Sequence, residues 1–115
     1  MKWSEEEMDR AKQAAVIISS CLHIHYNIDE LSKKVKLPVK KLKSIFKYVF
    51  GVGMYTYLKE KRMQRAKVLM LEGKSIKLII PEIGYESESN FCKAFRKTFQ
   101  ETPAGWKRKQ GQKTG

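Results

Sequence analysis

The chain has 115 residues, 42% of them hydrophobic and 31% charged, which is one domain's worth of chain and too little for a two-domain enzyme. No segment approaches the roughly 18 uninterrupted apolar residues of a membrane span, and the opening Met1-Lys2-Trp3-Ser4-Glu5-Glu6-Glu7 lacks the pattern of a secretory signal, so a soluble, cytoplasmic protein is expected. Twenty-four Lys and Arg against 12 Asp and Glu give a formal charge of +12, a balance that favours polyanions as partners.

The charge is uneven. The first 30 residues hold three bases and six acids, the remaining 85 hold 21 bases and six acids. Seven bases lie between Lys33 and Lys47 and five between Lys59 and Lys67.

Apolar residues recur at spacings of three and four and β-branched alternation is lacking, so the pattern predicts an all-α chain. Ser4 with three glutamates behind it is an N-cap, and Met8, Ala11, Ala15, Ile18 and Leu22 make one stripe, giving a first helix over about residues 4–21. Asn27 caps a short helix over about 28–34, with Ile28, Leu31 and Val35 inward. Pro38 then opens a helix to Phe50, ended by Gly51. A long helix free of Gly and Pro runs from about Met54 to Leu71, before the C-cap pair Glu72-Gly73. Ser75 caps a short helix over 76–82, Gly84-Tyr85 turns the chain, Ser87 or Ser89 starts a helix to Phe99, and Pro103 opens a last short one. The tail from Gly111 to Gly115 is expected to fray.

The stretches on either side of the long helix repeat each other. Ile28, Leu31 and Val35 match Ile76, Ile79 and Ile83 at an offset of 48, and Leu42, Phe46 and Val49 match Phe91, Phe95 and Thr98 at an offset of 49. The second turn is therefore one residue longer. Each half reads as short helix, tight turn, longer helix, the plan of a helix-turn-helix in which the second helix enters the major groove. The fold expected is two such subdomains joined by a long linker helix, about seven helices in all. The domain spans 1–110, with the first half over about 4–51, the linker over 54–72 and the second half over 75–108.

At 100° per residue, Leu42, Ile45, Phe46 and Val49 share one face of the first long-arm helix, and Lys40, Lys43, Ser44 and Lys47 share the opposite one. In the second half Phe91, Ala94, Phe95 and Thr98 turn inward while Ser89, Cys92, Lys93 and Arg96 turn outward. The two outward sets correspond position for position. Lysine and arginine neutralise phosphates and donate to guanine O6 and N7, and small side chains permit close approach, so both sets are candidates for duplex DNA. A linker of about 18 residues spans roughly 27 Å, less than the roughly 34 Å between successive major grooves. Double engagement then calls for bent DNA or one weakly held motif.

Other chemistry is not expected. His23 and His25 are two apart with no Cys or acid set beside them, so no metal site and no cofactor is read there. Cys21, on the first helix's stripe, is read as core, and Cys92 as a small groove-facing residue. Both are read as reduced. Phe46, Phe50, Phe91, Phe95 and Phe99 are helically spaced core aromatics and not a platform for single strands. With no Ser/His/Asp set, carboxylate pair or Gly-rich phosphate loop, the chain is not read as an enzyme. Lys59, Arg62 and Lys67 on the linker are candidates for the DNA backbone.

Over about residues 10–108 the chain resembles the DNA-binding domain of the AraC/XylS family of bacterial transcription regulators. The residues that carry this are Gly84-Tyr85, Ser87, Ser89-Asn90-Phe91, Ala94-Phe95-Arg96-Lys97, Phe99, Thr102-Pro103 and Trp106-Lys107, with Trp106 in a slot usually held by tyrosine. Leu31, Leu42, Phe46-Lys47 and Gly51 match in the first half, and Tyr57, Arg62-Met63, Ala66 and Leu69 in the linker. The resemblance implies two helix-turn-helix subdomains on a rigid helix, binding to promoter DNA, and activation through contact with RNA polymerase. Base-reading roles carry over to Lys40, Lys43, Ser44 and Lys47, and to Ser89, Cys92, Lys93 and Arg96, with Glu88 at the helix start. The ligand-sensing domain that the family usually adds does not fit in 115 residues.

The chain departs from the family pattern in places. Ser32 and Ile80 replace an alanine on the bracing helices, Pro81 follows Ile80, and Gln100 stands where glycine commonly ends the second recognition helix. Pro81 removes a bond to the Lys77 carbonyl, so a kinked or shortened helix is expected. The reading is therefore a sequence-specific double-stranded DNA-binding regulator and activator. Its competitor is a basic module that coats nucleic acid or anionic surfaces without sequence choice.

Overall fold

Ser4 and Glu7 start the first helix by satisfying each other: the Ser4 hydroxyl accepts the Glu7 N–H at 3.1 Å, and the Glu7 carboxylate accepts the Ser4 N–H at 3.0 Å. This is a capping box, which occupies two of the donors that a helix start leaves open. The computed structural model describes residues 3–113, and every regular element among them is a helix: α1 (Glu5–Ser20), α2 (Ile28–Val35), α3 (Val39–Phe50), α4 (Met54–Leu71), α5 (Ile76–Glu82), α6 (Glu88–Phe99) and α7 (Pro103–Lys113). The last helix extends three residues beyond the expected end of the domain, and the rest of the expected frayed tail, Thr114 and Gly115, lies outside the described residues.

The contacts divide the chain into two units, Met1–Lys59 and Glu60–Gly115. In the first, Ala11, Ala14, Ala15 and Ile18 of α1 meet Leu31 and Val35 of α2 and Leu42, Ile45 and Phe46 of α3, all buried. The alanines let α1 lie close against the helix pair, and Phe50 and Tyr57 extend the core as an aromatic cluster, each ring 4.5–5.3 Å from Phe46. In the second, Met63, Ala66, Leu69 and Met70 of α4 meet Ile79, Ile80 and Ile83 of the α5 region, Phe91, Ala94 and Phe95 of α6, and Trp106 of α7.

The turns confirm the internal repeat in atomic detail. Val35 is followed by Lys36 in the left-handed conformation (φ 59°), and Ile83 by Gly84 (φ 86°). The Leu37 N–H then donates to the Ser32 carbonyl at 3.1 Å, and the Tyr85 N–H to that of Ile80 at 3.0 Å. The longer helices also end alike. Gly51 (φ 80°) donates to the Lys47 carbonyl and Gln100 (φ 65°) to the Arg96 carbonyl, both at 2.8 Å. Packing repeats too, since the ring centroids of Phe46–Phe50 and Phe95–Phe99 lie 4.5 and 4.7 Å apart.

Several details differ from expectation. Pro38 is the N-cap of α3, without a side-chain bond, and does not lie inside it. Pro81 sits within α5, in its last turn, and the helix ends one residue later at Glu82. The proline's missing N–H takes the helical donor from the Lys77 carbonyl, and the helix continues only one residue past it. Gln100 keeps the C-cap despite being no glycine, with its side-chain amide donating to the Lys97 carbonyl at 3.1 Å. Cys21 is not core: it is the half-buried C-cap of α1, outside both clusters, because the helix stops one residue before it. Ser32 is buried, and its hydroxyl donates to the Leu37 carbonyl across the turn.

Candidate nucleic-acid interface

The core decides which side of each recognition helix is free. On α3, Leu42, Ile45 and Phe46 are all fully buried, so the opposite side carries Lys40, Lys43, Ser44 and Lys47, every one of them exposed. These four thus share one accessible helix face, as the angles predict. Lys41, one position round, is engaged elsewhere: its ammonium pairs with Glu7 of α1. That pairing, together with the Ser4 N–H, holds the Glu7 carboxyl below its usual range. Arg10 of α1 donates to the Lys36 carbonyl at 3.1 Å and pairs with Glu6 at 2.6 Å, which ties α1 to the turn before α3.

On α6, Phe91, Ala94 and Phe95 are buried, leaving Glu88, Ser89, Lys93 and Arg96 exposed. Ser87 is the N-cap, its hydroxyl accepting the Asn90 N–H at 3.1 Å. Glu88 follows in the first turn, where a carboxylate suits the positive end of the helix. Cys92 belongs to the set only in part: it is half-buried and packs against the core. Burial, and then the Glu88 carboxylate, push its thiol pKa up, which makes it a poor redox sensor.

Lys97 was missed by the sequence reading. With Lys93, Arg96 and Gln100 it rims an open recess of about 460 Å³ on α6. The signal was present, since Lys97 is four residues from Lys93 and Gln100 is four from Arg96, one helical turn in each case.

The linker bases behave otherwise than expected. Arg62 is buried, with its guanidinium 5.9 Å from the centroid of the Tyr85 ring. Lys67 places its ammonium 3.5 Å from the Phe99 ring centroid and 5.1 Å from that of Trp106. These are cation–π contacts inside the second unit. Lys59 is half-buried. Among the described residues, no group of three or more His, Cys, Asp or Glu side chains is placed to hold a metal ion, and no helix is long and apolar enough to cross a membrane.

Against known proteins, a family model described as a helix-turn-helix domain matches residues 31–109. Regulatory protein PocR of Salmonella typhimurium is 28% identical over 99 residues, covering 85% of this chain, and this chain spans about a third (33%) of PocR's length. Among solved structures, the C-terminal domain of AraT, a response regulator from Geobacillus stearothermophilus, aligns with a TM-score of 0.80 at 20% identity, covering 95% of this chain and 88% of that one. The DNA-binding domain of the global transcriptional factor AdpA, solved in complex with a target DNA, aligns with a TM-score of 0.77 at 16% identity, covering 86% and 90% of the two chains. With the family's match extending over both turn motifs and the doubled fold shared with these domains, the chain belongs to the AraC/XylS family of helix-turn-helix transcription regulators.

Proposed function

We propose that this chain reads duplex promoter DNA sequence-specifically, with α3 and α6 entering two successive major grooves, and that it acts as an activator through contact with RNA polymerase. The observation that carries the reading is the register-matched pair of exposed faces: Lys40, Lys43, Ser44 and Lys47 on α3, and Ser89, Lys93 and Arg96 on α6, with Cys92 at the inner edge and Glu88 at the start. Each face follows a turn of the same hydrogen-bonded form, in which a left-handed residue redirects the chain into the recognition helix. Lys43 and Arg96 donate to guanine, Ser44 and Ser89 to bases or phosphates, and Glu88 accepts from cytosine N4. AdpA's capture with its target DNA supports the same use of a shared fold.

Double engagement rests on the α4 linker of 18 residues, about 27 Å of helix, so the proposal includes bending of the duplex. Selection of binding sites from random duplex DNA, at about 150 mM salt with excess competitor, tests the reading. Two enriched blocks about one helical turn apart are the expected result. Failure to enrich any sequence, with binding lost to competitor, would overturn it in favour of a sequence-blind basic module. A promoter fused to the selected site should fire more strongly when the chain is present, and repression there would reverse the activator assignment.

A further inference from the structure

Beside the basic face of α3 lies a cavity of about 510 Å³, formed wholly within the first unit. Tyr26, Ile28, Met54 and Leu58, all half-buried, are among its walls, and Lys43 and Lys47 also line it. Its size falls within the roughly 300–1,000 Å³ of small-molecule sites, and such sites are mostly apolar with a few placed polar groups. No acidic residue is among the described residues that line it, and neither lysine joins an ion pair among the described residues. Two exposed ammonium groups outside any of these ion pairs, one helical turn apart, thus stand beside apolar walls.

We propose that this cavity binds a small anionic amphiphile, an aliphatic chain bearing one carboxylate, with the chain against Ile28, Met54 and Leu58 and the carboxylate between Lys43 and Lys47. The charge selects the head, because a cationic or neutral one leaves both ammonium groups without a counter-charge. The walls select the tail, because DNA or an inorganic anion on the lysines leaves these half-buried apolar side chains facing water. Lys43 and Lys47 are also base-reading residues in the function proposed above. On that reading, amphiphile and DNA compete for the same two side chains, and the first half-site is released when the cavity fills.

The test has two independent arms. In the first, decanoate is titrated, below its aggregation threshold, into the intact chain labelled at its methionine methyls, with decanol and decyltrimethylammonium as comparators. Saturable shifts at Met54 are expected, with decanoate at least tenfold tighter than decanol and the cation weaker still. Gly53→Leu introduces a side chain at a lining position where a Cβ meets nothing within 4 Å, and should weaken decanoate at least tenfold. Tyr55→Glu, at a lining residue 81% exposed and so indifferent to folding, should weaken decanoate about tenfold and leave decanol unchanged. No saturable shift, equal affinity for decanoate and decanol, or indifference to Tyr55→Glu would overturn the site.

In the second arm, duplex binding is followed by fluorescence anisotropy with and without decanoate. A rise of fivefold or more in apparent Kd, abolished in Gly53→Leu, is expected. DNA binding untouched by saturating decanoate overturns the competition, whereas absence of DNA binding in the decanoate-free control counts against the reading of α3 and leaves the first arm to decide the cavity.

Discussion

Lys36 and Gly84 occupy the same backbone position 48 residues apart, each left-handed (φ 59° and 86°) at the turn that leads into a recognition helix. At the other end of those helices the pairing inverts, with Gly51 in the first half and Gln100 in the second. Each half therefore has one glycine and one side-chain-bearing residue in a conformation that costs an L-residue about 1–2 kcal/mol.

Replacing Lys36 or Gln100 with glycine should stabilise the chain by about 0.5–1 kcal/mol each, since the relief of left-handed strain exceeds the added freedom of the unfolded chain. Gly51→Ala should do the reverse by about 1 kcal/mol, and there the effect is conformational alone, because a Cβ at Gly51 meets nothing within 4 Å. Urea unfolding midpoints at constant m-value measure all three.

Lys43→Ala should flatten base preference in one block of the selected site, by about 1–3 kcal/mol where the contact is bidentate, and Arg96→Ala should do so in the other block. Binding assays on single-base variants of the selected site read this out. Preference unchanged at every base in the Lys43 variant would remove that residue from the interface.

The Glu7 carboxyl is held below its ordinary value of 4.5, first by the bond from Lys41 and then by the Ser4 N–H. A depressed folded-state pKa contributes stability that is present above the unfolded value and lost as pH falls through the folded one. Glu7→Gln should thus lower stability at neutral pH, and the difference from the parent should close as the pH falls below the ordinary carboxylate range. A gap that stayed constant across that range would show that the ion pair and capping carboxylate contribute nothing through their charge.

Burial and the nearby Glu88 carboxylate raise the Cys92 thiol pKa, and the thiolate is the reactive form. Alkylation of Cys92 by iodoacetamide near pH 7.5 should be slower than that of a free cysteine, and Glu88→Gln should speed it. Peptide mapping after timed quenching separates it from Cys21.

Phe95 touches Phe91, Phe99 and Trp106, with centroids 4.7–6.2 Å away, and is fully buried. Phe95→Ala should cost about 3–5 kcal/mol. The loss should appear as hydrogen-exchange deprotection of α6 and α7, while α1 to α3 keep theirs, because the two cores are separate clusters.

The sequence disclosed the helices, the duplication and both outward faces because these depend on the spacing of Leu42, Phe46, Phe91 and Phe95, which is local information. It did not disclose what depends on partners far along the chain. Arg62 and Lys67 read as candidates for the DNA backbone until Tyr85, Phe99 and Trp106 arrive from elsewhere to receive them. Cys21 looked like core because the apolar stripe runs past it, yet nothing in that stripe marks where the helical hydrogen bonds stop. The left-handed cap at Gln100 was equally hidden, since a glutamine carries no intrinsic sign of that conformation.

A lysine folded onto Phe99 and Trp106, and an arginine buried beside Tyr85, are unavailable to displace the sodium or potassium ions condensed around a duplex. The formal charge of +12 consequently overstates how many ions the proposed complex would liberate. A plot of log K against log salt, with a slope of about −0.9 per phosphate neutralised, should follow the bases of α3 and α6 and not the total. Two relatives of equal net charge could then differ widely in salt tolerance, according to how many of their cations are folded inward.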